Sequence, residues 1–215
     1  MTCYLNSLVQ TLYMTPEFRN AIYRWKLNET ATNEANNNIT FQLQKLFLLL
    51  QTSDKSSLET KELTASFGWE SNEAYEQHDV QELCRIMFDA LERCWHKTEN
   101  QSVIQDLYKG TIEDCVKCLR CKTENVRKDV FLDLPLAVKQ FGASESFHSI
   151  EEALKAFIKP EVLNGNNQYQ CEVCNSRQNA EKSLRIIEFP YLLTIQLKRF
   201  DFDYQTLHRI KLNDR

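Results

Sequence analysis

Two C-x2-C pairs, Cys118–Cys121 and Cys171–Cys174, constrain this chain more than any other feature of its sequence. Each pair sets two sulfurs on one tight turn, near enough to share a metal ion. Two such knuckles complete a tetrahedral four-thiolate set, for which zinc is the usual ion. Forty-nine residues lie between Cys121 and Cys171, so intervening strands must bring the pairs together. Four thiolates leave no open coordination position, which makes the expected role structural and not catalytic. Spacing alone leaves the register of the first pair open, because Cys115 and Cys118 also form a C-x2-C pair.

The chain has eight cysteines, and whether they pair as disulfides depends on compartment. No run approaches the ~18–20 consecutive apolar residues of a spanning helix. The opening Met-Thr-Cys-Tyr-Leu-Asn lacks the basic start, apolar core and small-residue cleavage site of a secretory signal. The chain therefore reads as intracellular, where thiols stay reduced. Cys84 and Cys94 fall on an apolar helical pattern and read as core-packing thiols. A net charge of −4 with scattered Lys and Arg argues against a nucleic-acid partner, a zinc-ribbon binder included.

The first hundred residues read as a helical lobe. Leu5, Leu8, Val9, Leu12 and Tyr13 repeat at helical spacing. Thr15-Pro16 ends that helix and opens another, with Thr15 as cap and Pro16 at the first position. Phe18, Ala21, Ile22 and Trp25 line its buried face. A polar, Asn-rich loop from Leu27 to Asn38 precedes an amphipathic helix from Ile39 to Gln51. A short helix and turn follow, anchored by Leu63, Phe67 and Trp69. Asp79 and Glu82 form a capping-box pattern ahead of Val80, Leu83, Cys84, Met87, Phe88 and Leu91.

The pattern changes near Leu107. Val126, Phe131, Leu132, Leu134, Leu136 and Val138 sit in extended segments, and Ser149 with Glu152 opens one short helix. Leu193, Ile195 and Leu197 alternate as in a strand, and Phe202 to Leu212 reads as a strand pair turning near Tyr204–Thr206. The expected class is therefore α+β.

Cys3 stands at the start of the first helix, where free N–H groups favour a thiolate, the attacking species in cysteine catalysis. Its setting, Thr2-Cys3-Tyr4-Leu5-Asn6-Ser7-Leu8, resembles the cysteine box of the ubiquitin-specific proteases, a family of papain-like deubiquitinases. Gln77-His78-Asp79-Val80-Gln81-Glu82-Leu83 resembles that family's second signature, and Leu193-Thr194-Ile195-Gln196-Leu197-Lys198-Arg199-Phe200 its palm strand motif. The C-x2-C pairs resemble its finger-tip zinc site, which favours the Cys118–Cys121 register. Phe67-Gly68-Trp69, the Gln77-His78-Asp79 block and Lys211-Leu212-Asn213-Asp214-Arg215 narrow the likeness to one branch of the family.

The resemblance implies a right-hand architecture of thumb, fingers and palm. Residues 1–104 would form a helical thumb and 105–215 incomplete fingers and palm. It implies hydrolysis of isopeptide and peptide bonds at the ubiquitin C-terminal glycine, with Cys3 as nucleophile and zinc as the one cofactor. Gln77, His78 and Asp79 would line the cleft for the ubiquitin tail. Asp79 would accept a tail arginine while also capping its helix. The partners implied are ubiquitin and ubiquitinated proteins, without nucleic acid or membrane, and the places implied are cytosol and nucleus.

The family's oxyanion-hole Asn lies a few residues before the nucleophile, and only Met1 and Thr2 precede Cys3 here. Its catalytic His and Asp or Asn lie beyond the palm strands, and this stretch ends at Arg215. His208 comes too early and reads as surface; His78 is not the family's base. The expectation is a catalytic domain truncated at both ends and inactive by itself. The alternative is a non-catalytic ubiquitin-binding module or an inactive isoform.

Overall fold

The computed structural model describes residues 3–26, 38–67, 79–140, 143, 145–203 and 207–212. The chain divides into two compact units, Met1–Leu107 and Tyr108–Arg215.

The first unit is helical. It contains α1 (Cys3–Tyr13), α2 (Pro16–Arg24), α3 (Ile39–Thr52), α4 (Lys61–Ser66) and α5 (Val80–Trp95), and α6 (Val103–Tyr108) runs to the division. Leu5, Val9 and Leu12 recur at three- and four-residue spacing and bury one face of α1. Asn38 caps α3 by accepting from the Phe41 N–H at 3.0 Å. Pro16 opens α2, where its missing N–H costs nothing. Thr15 occupies the cap position without capping: its hydroxyl donates backward to the Thr11 carbonyl at 3.0 Å.

Phe18 forms the centre of this core. Its ring stands 6.4 Å from that of Phe47, 6.4 Å from Phe88 and 6.1 Å from Trp95, joining α2, α3 and α5. Asn100 is buried in the turn after α5, and its Nδ2 donates to the Ala21 carbonyl at 2.8 Å. The expected apolar face of α5 is narrower than the spacing suggests. Leu83, Met87, Phe88 and Leu91 are buried, whereas Val80 is exposed and Cys84 only half-buried. Val80 sits in the first turn, where the helix enters from an exposed cap. Leu63 is buried and Phe67 half-buried; Gly68 and Trp69 lie outside the described residues.

The second unit is mainly β. A four-stranded antiparallel sheet has the order β2 (Glu124–Phe131), β1 (Gly110–Cys118), β7 (Ala180–Glu188) and β4 (Glu161–Leu163). Strand β1 pairs on both sides, Cys115 facing Val126 and Ser183. Strand β3 (Leu134–Ala137) pairs in parallel with β8 (Ile195–Lys198), and α7 (Ile150–Ile158) packs beside it. Leu134, Leu136 and Ala153 make a buried cluster flanked by Phe131, Phe147, Phe157, Ile186 and Ile195. Ser149 caps α7, its Oγ accepting from the Glu152 N–H, while Glu152 Oε2 accepts from the His148 N–H, one residue before the cap N–H that a capping box uses.

Two small hairpins complete this unit. One is β5 (Tyr169–Cys171) with β6 (Ser176–Gln178); the other is β9 (Phe200–Asp203) with β10 (His208–Lys211). The final strand pair thus begins at Phe200, two residues before the expected start, and the turn at Tyr204–Thr206 lies outside the described residues.

Candidate functional site

The first candidate site is the start of α1. Cys3 is its first residue and is exposed. The buried Leu5, Val9 and Leu12 fix the opposite face of the helix. A ladder of hydroxyls runs along the exposed side. Ser7 donates to the Cys3 carbonyl, Thr11 to that of Ser7 and Thr15 to that of Thr11, each at 3.0 Å. Burial, and secondly the neighbouring Cys3 charge, pushes the Tyr4 hydroxyl up from its ordinary value.

Asp79 is exposed at the N-cap of α5, where its Oδ1 accepts from the Gln81 N–H at 2.8 Å. The cap therefore bonds the second helical residue, one short of the Glu82 N–H that a capping box would use. Gln77 and His78, expected beside it, lie outside the described residues. His208 is exposed on β10.

The second candidate site is built by two turns of the same design. Strand β1 ends at Cys118, whose N–H donates to the Thr123 carbonyl at 2.9 Å, while the Lys122 N–H donates back to the Cys118 carbonyl at 3.0 Å. Strand β5 ends at Cys171, and the following turn closes through the Asn175 N–H on the Glu172 carbonyl at 3.3 Å. In both turns the residue after the second cysteine is left-handed, with φ of 64° at Lys122 and 49° at Asn175. Asn tolerates that region better than Lys. The Leu119 N–H donates to the Asn179 carbonyl at 2.8 Å and ties the first turn to the residue between β6 and β7.

The result is four sulfurs, of Cys118, Cys121, Cys171 and Cys174, all within 4.8 Å of one another. Cys118 Sγ lies 4.0 Å from Cys174 Sγ, and Cys121 Sγ lies 3.6 Å from Cys171 Sγ. A tetrahedral ion with ~2.3 Å metal–sulfur bonds would set its ligands about 3.8 Å apart, so the cluster has the dimensions of a metal site. Hydrogen bonds from the Thr123 hydroxyl and backbone N–H hold the Cys121 thiol down at about 6. Burial, and then contact with neighbouring sulfurs, pushes Cys174 up to about 12.

Cys115 stands outside this cluster. Along a strand, residues three apart point to opposite faces, so Cys115 and Cys118 on β1 cannot converge on one ion. Cys115 is buried at 1% exposure, and burial pushes its thiol up. The sulfurs that cluster are thus those of Cys118 and Cys121, with Cys115 apart from them.

Comparison with known proteins agrees with this geometry. A family model described as "Ubiquitin carboxyl-terminal hydrolase" matches residues 1–215. The chain belongs to that family. It is 61% identical to ubiquitin carboxyl-terminal hydrolase 47 of Drosophila melanogaster over 215 residues, which is 100% of this chain and 14% of the relative. It is 59% identical to the Homo sapiens protein of that name, again over 100% of this chain and 16% of the relative. It is 41% identical to human ubiquitin carboxyl-terminal hydrolase 40 over 98% of this chain and 17% of the relative. The chain thus spans a small part of the length of these relatives.

In this member of the family, then, the four cysteines form one cluster, and Cys3 and Asp79 each stand exposed at the start of a helix. Cys94 is half-buried and not core: Asn38 Nδ2 donates to its sulfur at 3.9 Å. Sequence reading missed the hydroxyl ladder below Cys3. Its signal was present as Ser7, Thr11 and Thr15 at four-residue spacing. Missed too was Thr123, two residues beyond Cys121, as the donor that favours a thiolate there.

Proposed function

We propose that the protein containing this chain is a thiol-dependent deubiquitinase, cleaving isopeptide and peptide bonds after the ubiquitin C-terminal glycine. The observation that carries this reading is an exposed Cys3 at the head of α1 in a chain that matches the family from end to end. In this reading the Cys3 sulfur attacks the glycine carbonyl and forms an acyl-enzyme that water resolves. The attack requires a base for the thiol and an acid for the departing lysine amine. It also requires donors to the tetrahedral oxyanion, each typically worth ~10²–10³ in turnover.

The helical unit serves as thumb, and the second unit as fingers and palm. Asp79, with Gln77 and His78, binds the basic ubiquitin tail. Zinc is the ion proposed for Cys118, Cys121, Cys171 and Cys174, because four thiolates suit it and the sulfur spacing fits its radius. Bound there, it supplies a cross-link between the two turns and takes no part in the hydrolysis. Ubiquitin and ubiquitinated proteins are the partners, and cytosol and nucleus the locations.

A ubiquitin probe bearing a C-terminal electrophile tests this reading. It is applied to the chain, to a form extended at both ends to the full catalytic region, and to Cys3→Ala of each. Covalent labelling of the extended form that vanishes with Cys3→Ala is expected. An extended form that binds ubiquitin without labelling would make the protein a ubiquitin-binding module and overturn the enzyme assignment.

A further inference from the structure

The four sulfurs are not equivalent toward solvent. Cys118 is 0% exposed and Cys171 2%, whereas Cys121 and Cys174 are half-exposed. All four sulfurs lie within 4.8 Å of one another, and two contacts of 4.0 Å or less run across the turns. Half-exposed Cys121 meets buried Cys171 at 3.6 Å, and half-exposed Cys174 meets buried Cys118 at 4.0 Å. Each accessible sulfur therefore has a sheltered one beside it on the opposite turn.

We propose that the cluster is a peroxide-sensitive site, oxidised to two disulfides that join Cys121 to Cys171 and Cys118 to Cys174. The oxidant is a hydroperoxide, hydrogen peroxide being the simplest. The thiolate of Cys121 attacks one peroxide oxygen, the O–O bond breaks, and with one proton a sulfenic acid and water form. The Cys171 thiolate then attacks the sulfenic sulfur, the S–OH bond breaks, and a second proton carries the hydroxyl away as water. Cys174 and Cys118 react in the same way. In sum, four thiolates, two hydrogen peroxides and four protons give two disulfides and four waters. Any divalent ion held by the thiolates is set free.

The pairing decides the consequence. Bonds within each C-x2-C turn would leave the two turns unconnected. Bonds between them replace the metal cross-link with a covalent one, so that β5–β6 stays attached to the end of β1. A thiol reductant would return all four thiols in place, ready to bind metal again. The sulfurs need close only from 3.6 and 4.0 Å to the ~2.05 Å of a disulfide.

Peptide mapping tests the pairing directly. Trypsin cuts after Arg120, between Cys118 and Cys121, and a glutamate-specific protease cuts after Glu172, between Cys171 and Cys174. All four sulfurs thus fall on separate peptides. The chain, in one arm loaded with zinc and in another stripped by chelator, is titrated with hydrogen peroxide, alkylated and digested without reduction. The expected result is Cys121–Cys171 and Cys118–Cys174 cross-links at least about tenfold above the pairs within turns in the zinc-loaded arm, and a smaller excess of the same pairs in the stripped arm, where the hairpin that carries Cys171 closes only transiently. The zinc-loaded arm is also expected to release about one ion per two peroxides, read with a zinc indicator. Cys121→Ser should keep the Cys118–Cys174 link and leave Cys171 alkylated. Predominance of pairs within turns, or sulfinic and sulfonic acids without cross-links, would overturn the proposal. The stripped arm reads the pairing independently of zinc, so a failure of the zinc reading is distinguished from a failure of this one.

Discussion

Removing the metal proposed for the four-cysteine cluster is expected to melt the β5–β6 hairpin and spare the four-stranded sheet. The hairpin has three residue pairs, Tyr169 with Gln178, Gln170 with Arg177 and Cys171 with Ser176, and among the described residues it joins no other sheet. Cys171 is its one buried side chain. A lone two-stranded hairpin is marginal in water. The cluster, the Leu119 N–H on Asn179 and the exposed Gln168–Asn179 side-chain bond hold it in place. In contrast, β1 pairs along its length with both β2 and β7 and buries Cys115 and Ala180. Free metal at a thousand times Kd stabilises the closed hairpin by about 4.1 kcal/mol. Chelation should therefore cost the amides of residues 169–178 up to about a thousandfold in hydrogen-exchange protection at that metal level. Amides of 111–117 and 181–188 should change by less than about tenfold, since their opening does not require the cluster to open. Exchange followed by mass spectrometry, in a metal buffer and then with chelator, reads both regions in one sample. Unchanged protection in 169–178, or an equal loss in β1 and β7, would refute the reasoning that the cluster is the main tie on the hairpin.

Further outcomes are expected at two positions. Gly110→Ala should lower stability by about 1–3 kcal/mol in urea unfolding. A Cβ at Gly110 would run into the Phe131 ring and stand 2.9 Å from the Glu188 carbonyl oxygen, and the backbone atom cannot swing aside. Asn100→Ala should cost about 1–2 kcal/mol, because the Ala21 carbonyl loses a buried donor but keeps the Trp25 N–H at 3.2 Å. Asn100→Asp should cost more at neutral pH, since it sets a carboxylate against that carbonyl. Burial raises its folded pKa above the unfolded ~3.9, so the folded state holds the extra proton and the excess cost shrinks as pH falls toward that value. Urea midpoints at several pH values would show this, and an Asp variant no worse than Ala at neutral pH would count against it.

What was legible in the sequence divides along physical lines. Features set by chemistry over a few residues could be read directly. The Ser149 and Asp79 caps need only a short polar side chain near a free N–H, and both form. The same logic placed Thr15 in a cap, yet its hydroxyl found the Thr11 carbonyl first. A threonine four residues past a helical carbonyl always has that second option, and local spacing does not decide between them. The sheet order β2-β1-β7-β4 was beyond such reading, because β1 and β7 stand more than sixty residues apart and β2 carries no clean alternation.

The first cysteine pair shows how that non-local pairing decides a local question. By letters alone, Cys115-x2-Cys118 and Cys118-x2-Cys121 are equivalent. They become different once β1 is extended by its partners as far as Cys118, where Lys117 pairs with Glu124 and Cys118 with Ala180. The strand sends Cys115 to one face and Cys118 to the other, and only beyond Cys118 does the chain turn and bring a second sulfur back. The pairing with Ala180 sets that turn beside β6, whose hairpin carries Cys171 and Cys174. The four-cysteine cluster therefore follows from where β1 stops, and β1 stops where β2 and β7 cease to pair with it.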